Sequence, residues 1–307
     1  MNERLLILGT GAMACWFAAR LAPQADVSMA GEWVEGLAAL RQQGVILERD
    51  GHRSQHSVRA AGYGEDLPPF RLALVLVKAY QTEAAAAVLT RWLAPEGVAV
   101  TLQNGLGNLE VLADRLGAGR VALGVTTAGA TLLAPGIVRE GGVGPTSIAR
   151  HARAAELVSL LRRAGLPADQ ADDALSLAWG KLAISAAVNP ITALLRISNG
   201  GLLESSAGGA LEVAGMAMME AAATAQAAGL RLPYSDPLAE LTAVLVRTAG
   251  NRSSMLQDVE AGRMTEVEAI NGAVVREAEL RGVPVPVNRL LLGLMRALPE
   301  SPAGVRS

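Results

Sequence analysis

The chain has 307 residues, of which 51% are hydrophobic and 18% are charged, and its formal net charge is −2. This length exceeds what one hydrophobic core usually supports, so we expect two domains, and the composition excludes a disordered chain. A near-neutral charge without blocks of like charge argues against binding to nucleic acid or to an anionic membrane. No uninterrupted run of about 18 apolar residues predicts a membrane span.

The only cysteine of the chain is Cys15. One cysteine excludes an intramolecular disulfide and is what a reducing compartment tolerates, so we expect a cytoplasmic protein. The N-terminus has no basic region followed by a long apolar segment, so it does not read as a secretory signal.

The first half of the chain alternates short apolar runs with helical patterns. Residues 12–22 and 83–94 have helical spacing, and the Asp50-Gly51 pair predicts a turn between two strands. Strands are predicted near residues 4–8, 26–30, 70–80, 97–105 and 121–127. Strands that alternate with helices predict an α/β domain with an open, mostly parallel sheet, which we assign to residues 1–170.

The second half has no strand signals. Helical periodicity predicts an all-helical domain over residues 171–300, with the boundary near residues 165–173 and a poorly ordered tail at 301–307. The capping-box spacing of Thr265 and Glu268 predicts a helix start there. The predicted helices cover 173–196, 208–229, 236–261 and 265–281.

A glycine-rich turn, GTGAMA, follows the first predicted strand and opens the first predicted helix. In a GxGxxA turn the first glycine allows a tight turn, the second lets the backbone approach a pyrophosphate, and the alanine permits close helix packing. The motif therefore predicts a Rossmann-type, doubly wound parallel sheet that binds a dinucleotide, the alternative being a tight turn without a ligand. The predicted cofactor-binding residues are Gly9, Thr10, Gly11, Ala12, Met13 and Ala14.

Three polar residues follow later strands, at the sheet edge where open α/β sheets bind ligands. Glu32 stands about 20 positions after the glycine turn, where a carboxylate without a neighbouring arginine favours NAD. It could equally be a solvated residue in the first turn of a helix. Lys78 and Asn104 each follow an apolar run, as a ligand site would require, although strands also end in polar residues without function.

One lysine lies inside the apolar segment AWGKLAISAAVNPITALL. Lys181, Ser185 and Asn189 are spaced by four residues, so a helix places them on one face, which Thr192 continues. Small hydrogen-bonding residues around one lysine are typical of the wall of a cleft, whereas the alternative is a lysine that reaches out to water. Pro190 predicts a kink or break near Asn189.

Two further sets of residues are considered as sites. His52 and His56 lie just after the Asp50-Gly51 turn without a cysteine or carboxylate cluster, so we predict no metal site. Ser254 and Asp258 share one face of a predicted helix, and whether they meet the Lys181 stripe stays open at this point.

Six motifs stand in a fixed order along the chain: GTGAMA, VLVKAYQT, LQNGLGN, WGKLAISAAVNPITALL, SNGGL and NRSSMLQDVEAGRMTEVEAINGAVV. In this combination the chain resembles the ketopantoate reductase family over both predicted domains. The resemblance implies reduction of ketopantoate to pantoate, on the route to pantothenate and coenzyme A, with NADPH as the usual cofactor.

The resemblance also implies roles for individual residues. Lys181 matches the proton donor of the family, and Glu266 matches a residue near that lysine and the cofactor. Asn104 matches a residue near the nicotinamide and the substrate, and Lys78 one near the adenosine phosphate. The residues implied to contact the substrate are Asn104, Ser185, Asn189, Asn199 and Ser254.

Two positions depart from the family pattern. Ser185 stands where many members have an asparagine, which favours a different 2-keto acid as the alternative substrate, and Ala30 precedes Gly31 and Glu32 where an arginine is common. We still expect NADPH, with NADH as the alternative. A further alternative is a dinucleotide sensor without catalysis, and a homodimer is compatible with the sequence.

Overall fold

The computed structural model describes residues 3–204 and 208–298. The described chain forms two compact units, one of residues 3–103 and 108–174 and a second of residues 104–107 and 175–298. The tail at 301–307, predicted to be poorly ordered, lies outside the described residues.

The first unit is built on an eight-stranded sheet. Its strands are β1 (Glu3–Leu8), β2 (Ala25–Gly31), β5 (Arg59–Gly62), β6 (Phe70–Val75), β7 (Leu93–Thr101), β8 (Val121–Thr126), β11 (Thr146–Ala149) and β12 (Ala168–Ala171). The spatial order is β12-β11-β8-β7-β6-β1-β2-β5, and every pairing is parallel except that of β8 with β11. The strand order reverses beside β1, so the predicted doubly wound, Rossmann-type sheet is confirmed.

A second sheet of four strands belongs to the same unit. It consists of β3 (Val45–Arg49), β4 (His52–His56), β9 (Gly129–Ala134) and β10 (Ile137–Gly142), in the order β4-β3-β10-β9. The predicted turn between β3 and β4 is present, with φ of 50° at Asp50 and 76° at Gly51. The pairing of β10 with β3 joins residues about 90 positions apart in the chain, which local patterns do not signal.

Five helices complete the first unit: α1 (Ala12–Leu21), α2 (Val34–Gln43), α3 (Thr82–Trp92), α4 (Asn108–Leu116) and α5 (Ala154–Arg163). The first of them is almost entirely buried, including Trp16 and Phe17. The indole N–H of Trp16 and the guanidinium of Arg20 both donate to Glu140 at 2.8 Å. These bonds tie α1 to β10, and so fix the helix that the glycine turn begins.

The second unit is helical, as predicted. Its helices are α6 (Ala174–Leu195), α7 (Ala210–Ala227), α8 (Pro237–Arg247), α9 (Ser254–Glu260), α10 (Asn271–Arg281) and α11 (Pro286–Arg296), with a 3-10 turn at Asn199–Leu203. The single helix predicted over 236–261 is wrong, because the chain stops at Arg247 and starts again at Ser254. Ser253 caps the new helix by accepting from the Leu256 N–H at 3.1 Å.

The helix predicted to begin at Thr265 is also wrong in its start. The helix begins at Asn271, and Glu266 lies in the non-helical turn before it rather than in a first helical turn. Glu268 does not form the predicted capping box with Thr265, because its carboxylate pairs with Arg296 at 2.6 Å. A long-range ion pair therefore replaces the local contact that the spacing predicted.

A kink or a break was predicted near Asn189; helix α6 runs without interruption through Pro190, so the break is wrong. Among the described residues it is also the one helix long and apolar enough to cross a membrane by length and composition. Two-thirds of its apolar window (67%) is buried inside the protein, which is the property of a core helix.

Candidate functional site

The glycine turn lies at the carboxyl end of β1 and leads directly into α1. Gly9 has a φ of +127°, and a Cβ there would lie 3.0 Å from the carbonyl of Leu76 and 3.2 Å from the Cβ of Ala14. A Cβ at Gly11 would meet no protein atom within 4 Å. Packing inside the protein therefore requires glycine at the first position, whereas the second faces open space, as close approach of a pyrophosphate requires.

The amino end of α1 suits an anion. Gly11 occupies the N-cap position without a side chain to accept from the first N–H groups, and the first turn contains no acidic residue. Thr10 and Ala14 are buried, and Ala12 and Met13 are half-buried. The exposed N–H groups and the helix dipole favour a phosphate at this point.

Glu32 and Lys78 lie at the same edge of the sheet as the glycine turn. Glu32 directly follows β2 and is exposed; burial, and to a lesser extent the Glu32 carboxylate, raises the pKa of Tyr63. Gly31 packs against Thr10, since a Cβ on Gly31 would lie 3.1 Å from the Thr10 methyl carbon. Lys78 does not follow its strand directly as predicted, because β6 ends at Val75 and Lys78 is the cap residue before a 3-10 turn at Ala79–Gln81.

Lys181 and Glu266 form the charged centre of the helical unit. Lys181 is half-buried on α6, and Glu266 is 5% exposed. Burial lowers the pKa of Lys181 from 10.5 to about 8, and the Glu266 carboxylate acts in the opposite direction. Burial dominates because removing water from an ammonium group destabilises its charged form more than one carboxylate here restores. The result is an ammonium acid that can release its proton near neutral pH.

The other polar positions of α6 differ in how deeply they are buried. Ser185 and Asn189 are half-buried, as a ligand-binding wall requires. Thr192 is fully buried, and its hydroxyl lies 2.8 Å from the hydroxyl of Ser253. The polar stripe predicted on α6 therefore ends in a structural contact with the cap of α9, and this contact places Ser254 beside the carboxyl half of α6.

Asn199 begins the 3-10 turn that follows α6. Its Nδ2 donates to Thr248 Oγ1 at 3.0 Å, and its backbone N–H donates to the Asn251 carbonyl at 2.9 Å. Its Oδ1 is buried and has no hydrogen-bond partner in the protein. A buried amide oxygen that is held in place and lacks a donor is suited to bind a hydroxyl or an ammonium group.

Asn104 lies in a four-residue loop that packs within the helical unit. The Leu106 N–H donates to the Ala269 carbonyl at 3.0 Å, and a Cβ on Gly105 would lie 2.2 Å from the same oxygen. This contact holds the Asn104 loop against the turn that contains Glu266. The structure thus connects Asn104, Glu266 and Lys181 through contacts inside one unit.

The residues that hold Lys181 and its helix in place were not singled out by the sequence. Tyr234 donates its hydroxyl proton to the Gly180 carbonyl at 2.9 Å, next to Lys181. Asn271 donates to the Ala186 carbonyl at 3.0 Å, also on α6. The one available signal is Pro190, since a proline inside a helix leaves a carbonyl that needs another donor.

Other candidate groups have structural explanations. Cys15 is fully buried, and burial raises the pKa of its thiol to about 12, so it is not a nucleophile. Within residues 3–204 and 208–298 no three His, Cys, Asp or Glu side chains are grouped to hold a metal ion. A cavity of about 400 Å³ lies beside His52 and His56, but each of its arginines is paired with a carboxylate: Arg20, Arg49, Arg53 and Arg163.

The glycine turn at the switch point of a parallel sheet and the half-buried lysine of a helical unit are the features of an NAD(P)H-dependent oxidoreductase. Two family models match the chain, "Ketopantoate reductase PanE/ApbA" over residues 5–153 and its C-terminal counterpart over residues 173–299. The chain belongs to this family, whose members are NAD(P)H-dependent 2-keto acid reductases.

Individual relatives agree with this membership. A 2-dehydropantoate 2-reductase of Halobacterium salinarum is 33% identical over 300 residues, which covers 95% of this chain and 98% of the relative. The crystal structure of a PanE/ApbA family ketopantoate reductase from Ralstonia eutropha JMP134 is 29% identical with a TM-score of 0.88, covering 96% and 97% of the two chains. D-mandelate dehydrogenase with NADH and anilino(oxo)acetate shares the fold, with a TM-score of 0.90 at 23% identity and coverage of 96% and 98%.

Proposed function

We propose that this protein reduces 2-dehydropantoate (ketopantoate) to pantoate with NADPH, in the biosynthesis of pantothenate and coenzyme A. The proposal rests on Lys181, a half-buried lysine beside Glu266. The pKa of the Lys181 ammonium group is lowered to about 8. An acid of this strength is protonated at neutral pH and still gives up its proton readily. We place the enzyme in the cytoplasm, where its single buried cysteine stays reduced.

The first unit would hold the cofactor. The open space in front of Gly11 and the uncapped amino end of α1 fit a pyrophosphate. Lys78 is the residue we assign to the 2′-phosphate of NADPH, and Glu32 favours NADH as the alternative because a carboxylate binds the free ribose hydroxyls. When bound, the reduced dinucleotide supplies a hydride to the ketone carbon.

The helical unit would bind the keto acid and supply the proton. As the carbon of the ketone gains hydrogen, the carbonyl electron pair moves to oxygen, and the Lys181 ammonium stabilises that charge and then donates a proton to it. The lysine is left neutral and regains its proton from water. Glu266 keeps Lys181 protonated between turnovers by opposing the effect of its burial.

Amide and hydroxyl groups of the helical unit would orient the substrate. We assign contacts with the carboxylate and hydroxyl of the substrate to Asn189, Asn199 and Ser254, and contacts near the reacting carbon to Asn104. The fixed side chain of Asn199, with its unpartnered Oδ1, supports a hydrogen bond from the substrate hydroxyl. No nucleic acid or membrane is part of the proposal, and a homodimer is compatible with it.

A second candidate is the reduction of a different 2-keto acid. Ser185 is shorter than the asparagine common at this position, which leaves more room one helical turn from Lys181. D-mandelate dehydrogenase, which has the same fold, was solved with anilino(oxo)acetate. This alternative therefore predicts a 2-keto acid with a larger side group than that of ketopantoate.

The test follows oxidation of NADPH and of NADH at the nicotinamide absorbance, with ketopantoate and a panel of aliphatic and aromatic 2-keto acids. We expect turnover with ketopantoate and a loss of about 10³-fold in kcat for Lys181→Ala, with dinucleotide affinity unchanged. If only another 2-keto acid is reduced, that acid is the substrate and the proposed mechanism still holds. Tight dinucleotide binding without turnover of any acid would favour a sensor and reject the proposal.

A further inference from the structure

Pro190 leaves one buried carbonyl of α6 without its usual donor. In a helix the N–H of residue 190 would bind the carbonyl of Ala186, and proline has no N–H. Ala186 is fully buried, so water does not reach that oxygen. An unsatisfied buried carbonyl is unfavourable, and the uninterrupted course of α6 through Pro190 therefore depends on another donor.

Asn271 is that donor. Its Nδ2 lies 3.0 Å from the Ala186 carbonyl, and its side chain is fully buried at the start of α10. The second proton of the same Nδ2 goes to Asn288 Oδ1 at 3.0 Å. The amide nitrogen of Asn271 thus faces two acceptors, and a flipped amide would place oxygen against oxygen.

The orientation of Asn288 is fixed in turn. Its Nδ2 donates to the Ala217 carbonyl at 2.9 Å and to Glu220 at 2.8 Å, so its Oδ1 must face Asn271. The Glu220 carboxylate also accepts the backbone N–H groups of Val287 and Asn288, each at 2.8 Å. Two buried asparagines and the half-buried Glu220 therefore form a chain of hydrogen bonds from α7 and α11 to the open carbonyl of α6.

This chain of bonds joins the two elements that contain the charged centre. Ala186 lies five residues after Lys181, about 7.5 Å along the axis of α6. Asn271 lies five residues after Glu266, whose carbonyl accepts from the Ala269 and Ile270 N–H groups at 3.0 and 3.1 Å. The Asn271 side chain is therefore a hydrogen-bonded bridge between the helix of Lys181 and the start of α10, directly after the turn of Glu266.

We propose that Asn271 is a positioning residue of the reductase: by replacing the N–H that Pro190 lacks, it sets the distance between Lys181 and Glu266. The inference rests on the proposed role of Lys181 as the proton donor. It assigns no contact with substrate or cofactor to Asn271.

The test is a double-mutant cycle of Asn271→Ala and Pro190→Ala, measured with whichever 2-keto acid the panel identifies. In the natural background we expect Asn271→Ala to lower kcat about tenfold, with KM changed by less than about threefold. Pro190→Ala restores an N–H for the Ala186 carbonyl, so in that background Asn271→Ala is expected to lower kcat by less than about threefold.

The pH profile separates positioning from simple loss of stability. When Lys181 and Glu266 move apart, the carboxylate opposes the effect of burial less, so the pKa of Lys181 falls. The alkaline limb of kcat should therefore move to lower pH in Asn271→Ala. Leu291→Ala is the matched control, because Leu291 is 3% exposed in α11 and belongs to none of these hydrogen bonds; its alkaline limb should stay in place.

Two results would overturn the proposal. One is an additive cycle, in which Asn271→Ala costs the same with and without Pro190. The other is an unmoved alkaline limb in Asn271→Ala together with a loss of stability like that of Leu291→Ala. If Asn271→Ala alone does not fold, the double variant should fold, and a double variant that is equally unfolded would also reject the proposal.

Failure of the proposed function is a separate result. A wild-type enzyme that reduces no 2-keto acid rejects the reductase, whereas the urea unfolding free energies of the same four proteins still measure the coupling between Pro190 and Asn271. If Pro190 and Asn271 are strongly coupled in the free energy of unfolding but the enzyme has no turnover, the hydrogen bond of Asn271 to Ala186 is supported and only its role in catalysis is rejected.

Discussion

The glycine turn of the first unit and the lysine centre of the helical unit are built in different ways. At the glycine turn, consecutive residues pack against the segments of Leu76 and Gly31, and the constraint is steric: a Cβ on Gly9 would lie 3.0 Å from the Leu76 backbone. At the lysine centre, segments far apart in the chain meet, and the constraint is hydrogen bonding, as in the contact of Asn271 with the Ala186 carbonyl.

Because of this difference, we expect substitutions in the two regions to have different effects. Adding one carbon to the glycine turn disturbs either packing or ligand approach, depending on which glycine is changed. In the helical unit, loss of one donor leaves a buried acceptor unsatisfied and shifts the electrostatics of Lys181 instead. Substitutions in the two regions should therefore move different observables.

The largest effect on stability is expected for Gly9→Ala. The φ of +127° is unfavourable for alanine, and its Cβ would press on Leu76 and Ala14. We expect a loss of about 3 kcal/mol in the free energy of unfolding, measured in urea, together with weaker dinucleotide binding. An unchanged urea midpoint would show that the turn accommodates the added Cβ without loss of stability. It would contradict the claim that steric packing constrains the glycine turn.

Gly11→Ala is the matched contrast within the same turn. Its φ of −85° and ψ of −170° suit alanine, and no protein atom lies within 4 Å of the added carbon. The free energy of unfolding should fall by about 0.5–1 kcal/mol, because alanine is a poorer N-cap residue than glycine. Dinucleotide affinity, measured by calorimetry, should fall by at least about tenfold, or about 1.4 kcal/mol, because the methyl group occupies the approach of the pyrophosphate. Equal affinity in both proteins would place the cofactor elsewhere.

The electrostatics of Lys181 and Glu266 should determine the pH dependence of kcat. The pKa of Lys181 is lowered to about 8, and the proton donor must be charged to act, so kcat should fall as the pH rises through about 8. Glu266→Gln removes the charge that raises this pKa, so the alkaline limb should move to lower pH by about one unit. A limb near the ordinary lysine value of 10.5 in the wild type, or one that Glu266→Gln leaves in place, would contradict the electrostatic account.

The two regions also differ in how far the sequence alone describes them. The turn, the strand before it and the helix after it follow from a local motif, because glycine geometry and hydrophobic period act within about ten residues. The first unit nevertheless contains a second sheet that the sequence did not predict. Its β3–β10 pairing is non-local, and neither strand alternates clearly enough to indicate its partner.

The lysine centre was predicted only as a polar stripe on one helix and as a family resemblance. The stripe placed Lys181, Ser185 and Asn189 correctly on α6. It missed that Thr192 is buried against Ser253, and the capping rule misplaced the start of α10 because Glu268 pairs with Arg296 instead. Hydrogen bonds and ion pairs between distant segments decided these positions, and spacing within one segment carries no information about them.

The smallest predicted effect concerns the choice between NADPH and NADH. This choice depends both on the local glycine motif and on residues from other segments. Glu32 directly follows β2, whose last residue Gly31 packs against Thr10 of the glycine turn, so its carboxylate stands next to the expected adenosine ribose. Neutralising it by Glu32→Gln should remove repulsion of a 2′-phosphate and weaken hydrogen bonds to a free 2′-hydroxyl.

We therefore expect the ratio of kcat/KM for NADPH to that for NADH to rise about fivefold in Glu32→Gln, or about 1 kcal/mol of discrimination. Lys78→Gln is the complementary variant, and it should lower the same ratio because it removes the charge assigned to the 2′-phosphate. If Lys78→Gln reduces the use of both dinucleotides equally, the lysine acts on a phosphate that they share, and the choice between them is made by Glu32 alone.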